Sequence, residues 1–134
     1  MPLVTIDLLQ GRTDAELDAI TESVQTAMVE TLDVPERDRF QVITEHSPRT
    51  LRFDPHYLGG DRGEAFVLIR VQLASGRCTQ VKRAFYARVA ELLGERAAVR
   101  SEDLMIVLVE NGREDWSFGG GIADYVEKPR EQWR

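Results

Sequence analysis

A chain of 134 residues, 43% of them hydrophobic, has the size and composition of one folded domain. Its 17 basic and 23 acidic residues leave a net charge of −6 with no basic stripe, which argues against a nucleic-acid surface. Cys78 is the only cysteine, so no intrachain disulfide can form; no apolar run approaches the roughly 20 residues of a membrane helix.

The chain opens Met1-Pro2-Leu3-Val4-Thr5-Ile6-Asp7-Leu8-Leu9. Val4, Ile6 and Leu8 alternate with Thr5 and Asp7, which predicts a strand over 2–9. Gly11 and Arg12 make a turn, and Thr13-Asp14-Ala15-Glu16 has the spacing of a capping box. Leu17, Ile20, Val24, Met28 and Leu32 then recur at helical spacing, and Pro35 closes that helix region. A second strand is expected over 40–45. The segment from His46 to Gly63, with Pro48, Pro55, Gly59 and Gly60, is too long for a simple turn.

The same order then repeats. Ala65–Leu73 is an apolar run broken by Arg70 and Gln72 and reads as a strand covered on both faces. After a turn at Ser75-Gly76, Val81, Phe85, Val89 and Leu92 give a second helical stripe, with Gly94 as the expected stop. Leu104–Val109 is the fourth strand. Gly112 to Tyr125 is a long segment rich in glycine and aromatics, and the charged tail Glu127–Arg134 is expected to fray unless Trp133 docks.

Each half is thus β-α-β with a right-handed crossover. The fold class is α/β (α+β): two fused β-α-β units forming a four-stranded sheet with two helices on one face. The domain reading is one unit over residues 1–134, with pseudo-repeats at 2–58 and 64–126 and a tail at 127–134. Strands three and four, apolar on both faces, leave an open sheet face that predicts burial between subunits.

Pro2 carries the chemistry if Met1 is removed. Its nitrogen then becomes a free secondary amine, a base when neutral, an acid when protonated, and able to condense with a carbonyl to a cationic iminium. With Met1 retained the same nitrogen is a planar amide with no basic lone pair.

Pro2, the Gly11-Arg12-Thr13 turn, Val34-Pro35-Glu36-Arg37-Asp38-Arg39, the Phe85-Tyr86 pair and Asp115-Trp116-Ser117-Phe118-Gly119 together resemble the tautomerase superfamily. The branch they resemble is that of the malonate semialdehyde decarboxylases, and the likeness runs from Pro2 to about Tyr125. It implies a homotrimer with active sites near subunit contacts and no metal or organic cofactor. It implies Pro2 as the catalytic amine, Asp38 as the acidic residue and Arg77 as a substrate-binding arginine. Trp116 and Phe118 match the apolar pocket wall, and Tyr125 falls near a further aromatic wall position. Arg12 matches a turn in which some members keep a working arginine.

One departure stands out. Where those decarboxylases carry Arg-Pro-Arg, this chain has Ser75-Gly76-Arg77, so the first arginine is absent and carboxylate binding is expected to differ. Other meanings stay open for several residues. Trp116 and Phe118 alternate as core-facing residues of a short strand would, and Arg12 is equally a surface turn residue. Asp38 sits in a charge cluster that by itself reads as a solvated turn. Cys78 has no histidine near it in sequence, and His46 and His56 lack a metal-ligand pattern.

The expected function is a cofactor-independent enzyme acting through an N-terminal proline on a small oxo-carboxylate. Decarboxylation of the malonate semialdehyde type leads. Keto–enol tautomerisation and hydration of an unsaturated acid are alternatives at the same site. A non-catalytic, small-ligand-binding oligomer is the alternative of another class. No membrane or nucleic-acid partner is expected, and the single cysteine and the absence of a signal-like start point to the cytoplasm.

Overall fold

A computed structural model describes residues 1–133. Four strands, β1 (Pro2–Leu9), β2 (Gln41–His46), β3 (Val67–Ala74) and β4 (Leu104–Asn111), form one mixed sheet in the order β2-β1-β3-β4. β1 runs parallel to β2 and β3 parallel to β4, whereas the central pair β1/β3 is antiparallel. Two helices of equal length, α1 (Asp14–Leu32) and α2 (Thr79–Ala97), pack side by side on one sheet face. Val4, Ile6 and Leu8 of β1, with Val67, Ile69, Val71 and Leu73 of β3, form the core with Ile20, Val24 and Met28 of α1 and Phe85, Val89 and Leu92 of α2. A third, short helix α3 (Asp124–Glu127) follows β4.

The first strand and the helix repeat in the two halves with the same offset. β3 starts 65 positions after β1 (67 less 2), and α2 starts 65 positions after α1 (79 less 14). Gly11 and Gly76 hold the same left-handed turn, at φ 124° and 127°, a conformation that glycine adopts without a Cβ penalty. Both helices end alike. Asp33 and Ala98 adopt φ 55° and 52°, and the next N–H, of Val34 or Val99, donates to the carbonyl of Met28 or Leu93. This is a left-handed closure of the helix end, and its apolar residue is buried in both copies, at Val34 and Val99.

Two expectations change, and one alternative falls away. Gly94 does not stop α2, because the closure at Ala98 carries the helix through to Ala97. Residues 116–118 form no strand. A 3-10 turn at Arg113–Asp115 precedes them, the Asp115 carboxylate accepts the Gly112 N–H, and the Asp124 carboxylate accepts the Phe118 N–H, so side chains satisfy this backbone. The open sheet face is also less uniformly apolar than expected. β4 does expose Met105, Val107 and Val109, but β3 places Arg70 and Gln72 on that face, opposite Thr5 and Leu3 of β1. Among the described residues no helix is long and apolar enough to cross a membrane.

The antiparallel β1/β3 pairing sorts the loops between two ends. Pro2 lies opposite Leu73, so the Ser75-Gly76-Arg77 turn and the segment after β4 gather at the start of β1. Leu9 lies opposite His46, which sends the 46–63 loop to the far end, with Arg12. That loop is closed on itself by the Arg62 guanidinium, which donates to the carbonyls of Asp54, Tyr57 and Leu58.

Candidate active site

Pro2 is buried at the first position of β1, so an amine at this chain end is held against the core instead of on a loose arm. With Met1 in place the free amine is that of Met1, and it lies 3.4 Å from Asp38 Oδ2. That separation is an ion-pair contact, too long for a strong hydrogen bond.

Asp38 comes from the turn that follows α1. Its N–H donates to Pro35 O, and the buried Gln25 amide of α1 donates to the Asp38 carbonyl at 3.1 Å. The residue is only 8% exposed, and among the described residues neither carboxylate oxygen accepts a hydrogen bond. A carboxylate in that state is unfavourable unless something compensates its charge. Burial pushes the Asp38 carboxyl above the usual range, with the amine and Arg77 opposing. The Met1 amine is pushed below its ordinary value, again chiefly by burial; Asp38 opposes the fall and Arg77 adds to it. Two groups that usually carry full charge at neutral pH are therefore both driven toward their neutral forms.

Arg77 enters from the turn between β3 and α2. Its Nε and Nη2 both donate to Leu32 O, at 3.1 and 2.9 Å, and Nη1 donates to Ala74 O at 3.1 Å. Leu32 is the last residue of α1, so the guanidinium satisfies a carbonyl left over at that helix end and gains from its negative dipole. Of the five N–H groups of an arginine, two remain for another partner. Tyr125, on α3, completes this side. Burial, with Asp38 adding, pushes its hydroxyl up to about 12, so it stays protonated and can donate.

Asp38, Ser75, Arg77 and Tyr125 thus meet the chain start around one cavity of about 210 Å³. Trp116 and Phe118 stack at 5.6 Å between ring centres and line an adjoining apolar cavity of about 390 Å³ with Leu3 and Phe40. Phe118 also reaches back to Met1 and Asp38 in a third cavity of about 360 Å³. The Trp116 indole N–H is held by the Asn111 side chain at 2.8 Å. Arg12 does not join this group within one protomer. It stands at the opposite end of β1 and donates to Ala65 O at 2.7 Å. Arg70, mid-strand on the open face, is likewise outside the cavity.

Sequence reasoning passed over three contributors. Gln25 looked like one more polar residue on a helix, yet it holds the Asp38 turn. Arg113 and Arg130 line the cavity beside Arg77, together with Trp133, whose docking the sequence had left open. Both arginines sit in segments whose composition reads as loop and frayed tail, so nothing in their spacing marked them.

Two family models, each described as tautomerase enzyme, match residues 38–119 and 2–60. The probable tautomerase YusQ of Bacillus subtilis (strain 168) is 37% identical over 127 residues, covering 95% of this chain and all of that protein. A malonate semialdehyde decarboxylase, described in wild-type, mutant and inactivated forms as a basis for decarboxylase and hydratase activities, shares the fold at a TM-score of 0.87. It is 34% identical and covers 92% of this chain and 95% of its own. The FG41 malonate semialdehyde decarboxylase inhibited by 3-bromopropiolate matches at a TM-score of 0.86 and 38% identity, over 92% of this chain and 94% of its own. With the doubled β-α-β sheet and the buried chain start already in place, these likenesses make the chain an enzyme of the tautomerase superfamily, in the branch that resembles malonate semialdehyde decarboxylase.

Proposed function

We propose that the working enzyme begins at Pro2 and uses that amine, without a cofactor, on a small oxo-carboxylate, most closely as a malonate semialdehyde decarboxylase does. The observation that carries this reading is Asp38: a buried carboxylate with no hydrogen bond among the described residues, facing the amine at the start of β1. A purely structural turn has no use for that arrangement.

The chemistry follows from the amine. The burial that lowers the Met1 amine acts on a Pro2 amine one residue further into the same strand. A neutral secondary amine attacks the aldehyde carbon of a β-oxo acid. Loss of water, with a proton supplied by the Asp38 carboxyl, leaves a cationic iminium. The electron pair of the bond to the carboxylate then flows into the iminium. Carbon dioxide departs, an enamine remains, and protonation followed by hydrolysis releases the shortened aldehyde and the free amine. The unused N–H groups of Arg77 and the Tyr125 hydroxyl hold the substrate's oxygens, with Ser75 alongside. Phe118 and Trp116 supply the apolar wall that strengthens each charge interaction.

A second reading, keto–enol tautomerisation, has its own support. An amine driven neutral is also the base that removes a proton next to a carbonyl. A panel of β-oxo and enol acids, read as carbon dioxide release against ketonisation, separates the two. Release of carbon dioxide from malonate semialdehyde supports decarboxylation, and ketonisation alone moves the assignment to an isomerase.

The assembly we propose is a homotrimer. The exposed Met105, Val107 and Val109 strip of β4, with Val42 on β2, is apolar surface of the kind that subunits cover.

A further inference from the structure

The cavity at the chain start is far more cationic than the protein that holds it. The whole chain carries −6, yet Arg77, Arg113 and Arg130 converge on one space with Asp38 as the only acid in its lining among the described residues. Arg77 has three of its five N–H groups engaged by the carbonyls of Leu32 and Ala74. The other two arginines are differently placed. Among the described residues, neither Arg113 nor Arg130 has a carboxylate partner within ion-pair distance. The Arg113 guanidinium instead lies over the Trp133 ring, 5.1 Å from its centre.

The chain end that carries Arg130 is folded over the site by specific contacts. Trp133 meets the Tyr125 ring edge-on at 4.9 Å and donates its indole N–H to Lys128 O. Lys128 pairs with the Asp124 carboxylate, which also accepts the Phe118 N–H. The tail is thereby tied to the pocket wall, and its arginine is brought to the side facing Ser75 and Arg77.

We infer that Arg113 and Arg130 form the carboxylate-anchoring pair of this enzyme, supplying from the β4 loop and the tail the guanidinium that Ser75 does not. The inference rests on the proposed use of an oxo-carboxylate and names the residues that hold its charged end. Planar guanidinia suit this work, because two parallel N–H groups match the two oxygens of a carboxylate. The pair acts on binding and leaves the reacting amine and Asp38 untouched, so its loss raises KM and spares kcat.

The test uses Pro2-terminated protein and malonate as an unreactive probe, with binding measured by calorimetry and oxo-acid turnover measured in parallel. The Arg113→Gln/Arg130→Gln variant should weaken malonate binding about ten- to a hundredfold, the loss expected for a charge-assisted hydrogen bond. Ser75→Arg added to that variant should restore most of the affinity. Arg83→Gln/Arg96→Gln removes the same net charge from the exposed face of α2 and should leave binding unchanged. Equal malonate affinity in wild type and the Arg113/Arg130 variant, both folded by melting temperature, overturns the inference. So does an equal loss in the α2 control, and so does a wild type that binds no malonate. If malonate behaves as expected while no oxo acid turns over, the anchoring pair stands and the proposed reaction falls.

Discussion

Arg12 and Arg77 occupy the same position in the two halves of the fold, each between a left-handed glycine and a helix cap, yet only Arg77 faces the chain start. The repeat extends to the acids. Asp38 and Asp103 follow the helices at the same offset, and each N–H donates to the residue three before it. But Asp103 is satisfied, by the Arg100 guanidinium and the Gly63 N–H, where among the described residues the Asp38 carboxylate accepts no hydrogen bond. The position that matches Pro2 is Val67, an internal residue with no free amine. On the proposed reading, one half keeps the reactive arrangement and the other keeps its scaffold. Reductive trapping with borohydride should accordingly saturate at one adduct per chain, on the N-terminal peptide.

Asp38→Asn should abolish most turnover without destabilising the fold. The Asp38 carboxyl is raised by burial, so its ionised form is the one the fold disfavours. The contribution of this group to stability therefore falls as pH rises from its unfolded value through its folded one, and stays lost above. Removing the charge removes that loss. Thermal melting at neutral pH should show an unchanged or higher midpoint, with kcat/KM down by about two orders of magnitude. A marked drop in midpoint would make Asp38 a structural residue.

Arg77→Ala should injure both stability and activity, because the guanidinium serves two ends. Its bonds to the Leu32 carbonyl cap α1, and charged hydrogen bonds contribute about 1.5–3 kcal/mol. A midpoint lowered by several degrees and kcat/KM lowered by about one to two orders of magnitude are expected. Arg77→Lys should recover less than half of either loss, since an ammonium cannot reach two carbonyls and a substrate in one plane.

The doubled β-α-β order was legible because its periodicities are local: alternation in Val4, Ile6 and Leu8, helical spacing in Ile20, Val24 and Met28. The Thr13 cap was legible for the same reason, and its side chain does accept the Glu16 N–H. Gly94 misled because glycine marks a stop only where the backbone turns left-handed, and here Ala98 makes that turn. Trp116 and Phe118 imitated a strand because alternation does not reveal that Asp115 and Asp124 bind the backbone that a neighbouring strand would have bound. The meeting of Asp38, Arg77 and Tyr125 was reached through family resemblance. Arg113, Arg130 and Gln25 stayed hidden because their roles depend on how distant segments fold together.

Assembly is tested by light scattering, which should give about three times 15.2 kDa. Val107→Asp, at the centre of the exposed β4 strip, should lower that mass. A wild-type monomer at micromolar concentration would contradict the trimer.

The pH dependence should follow the amine. Burial lowers it at this chain end, so kcat/KM should rise with pH through a value below that of an unburied N-terminal proline and fall again where the Asp38 proton donor ionises. The Tyr125 hydroxyl, pushed up to about 12, should add no further limb below that pH. An acid limb that survives unchanged in Asp38→Asn and in an amine-blocked sample would belong to another group.

The central claim is that a free Pro2 amine does the chemistry. It is tested most directly by comparing two mass-verified samples, one ending at Pro2 and one retaining Met1, in the same oxo-acid assay. Turnover should track the Pro2-terminated fraction and vanish in the homogeneous Met1 form, with the oligomer intact in both. Equal turnover by the two samples would contradict the account.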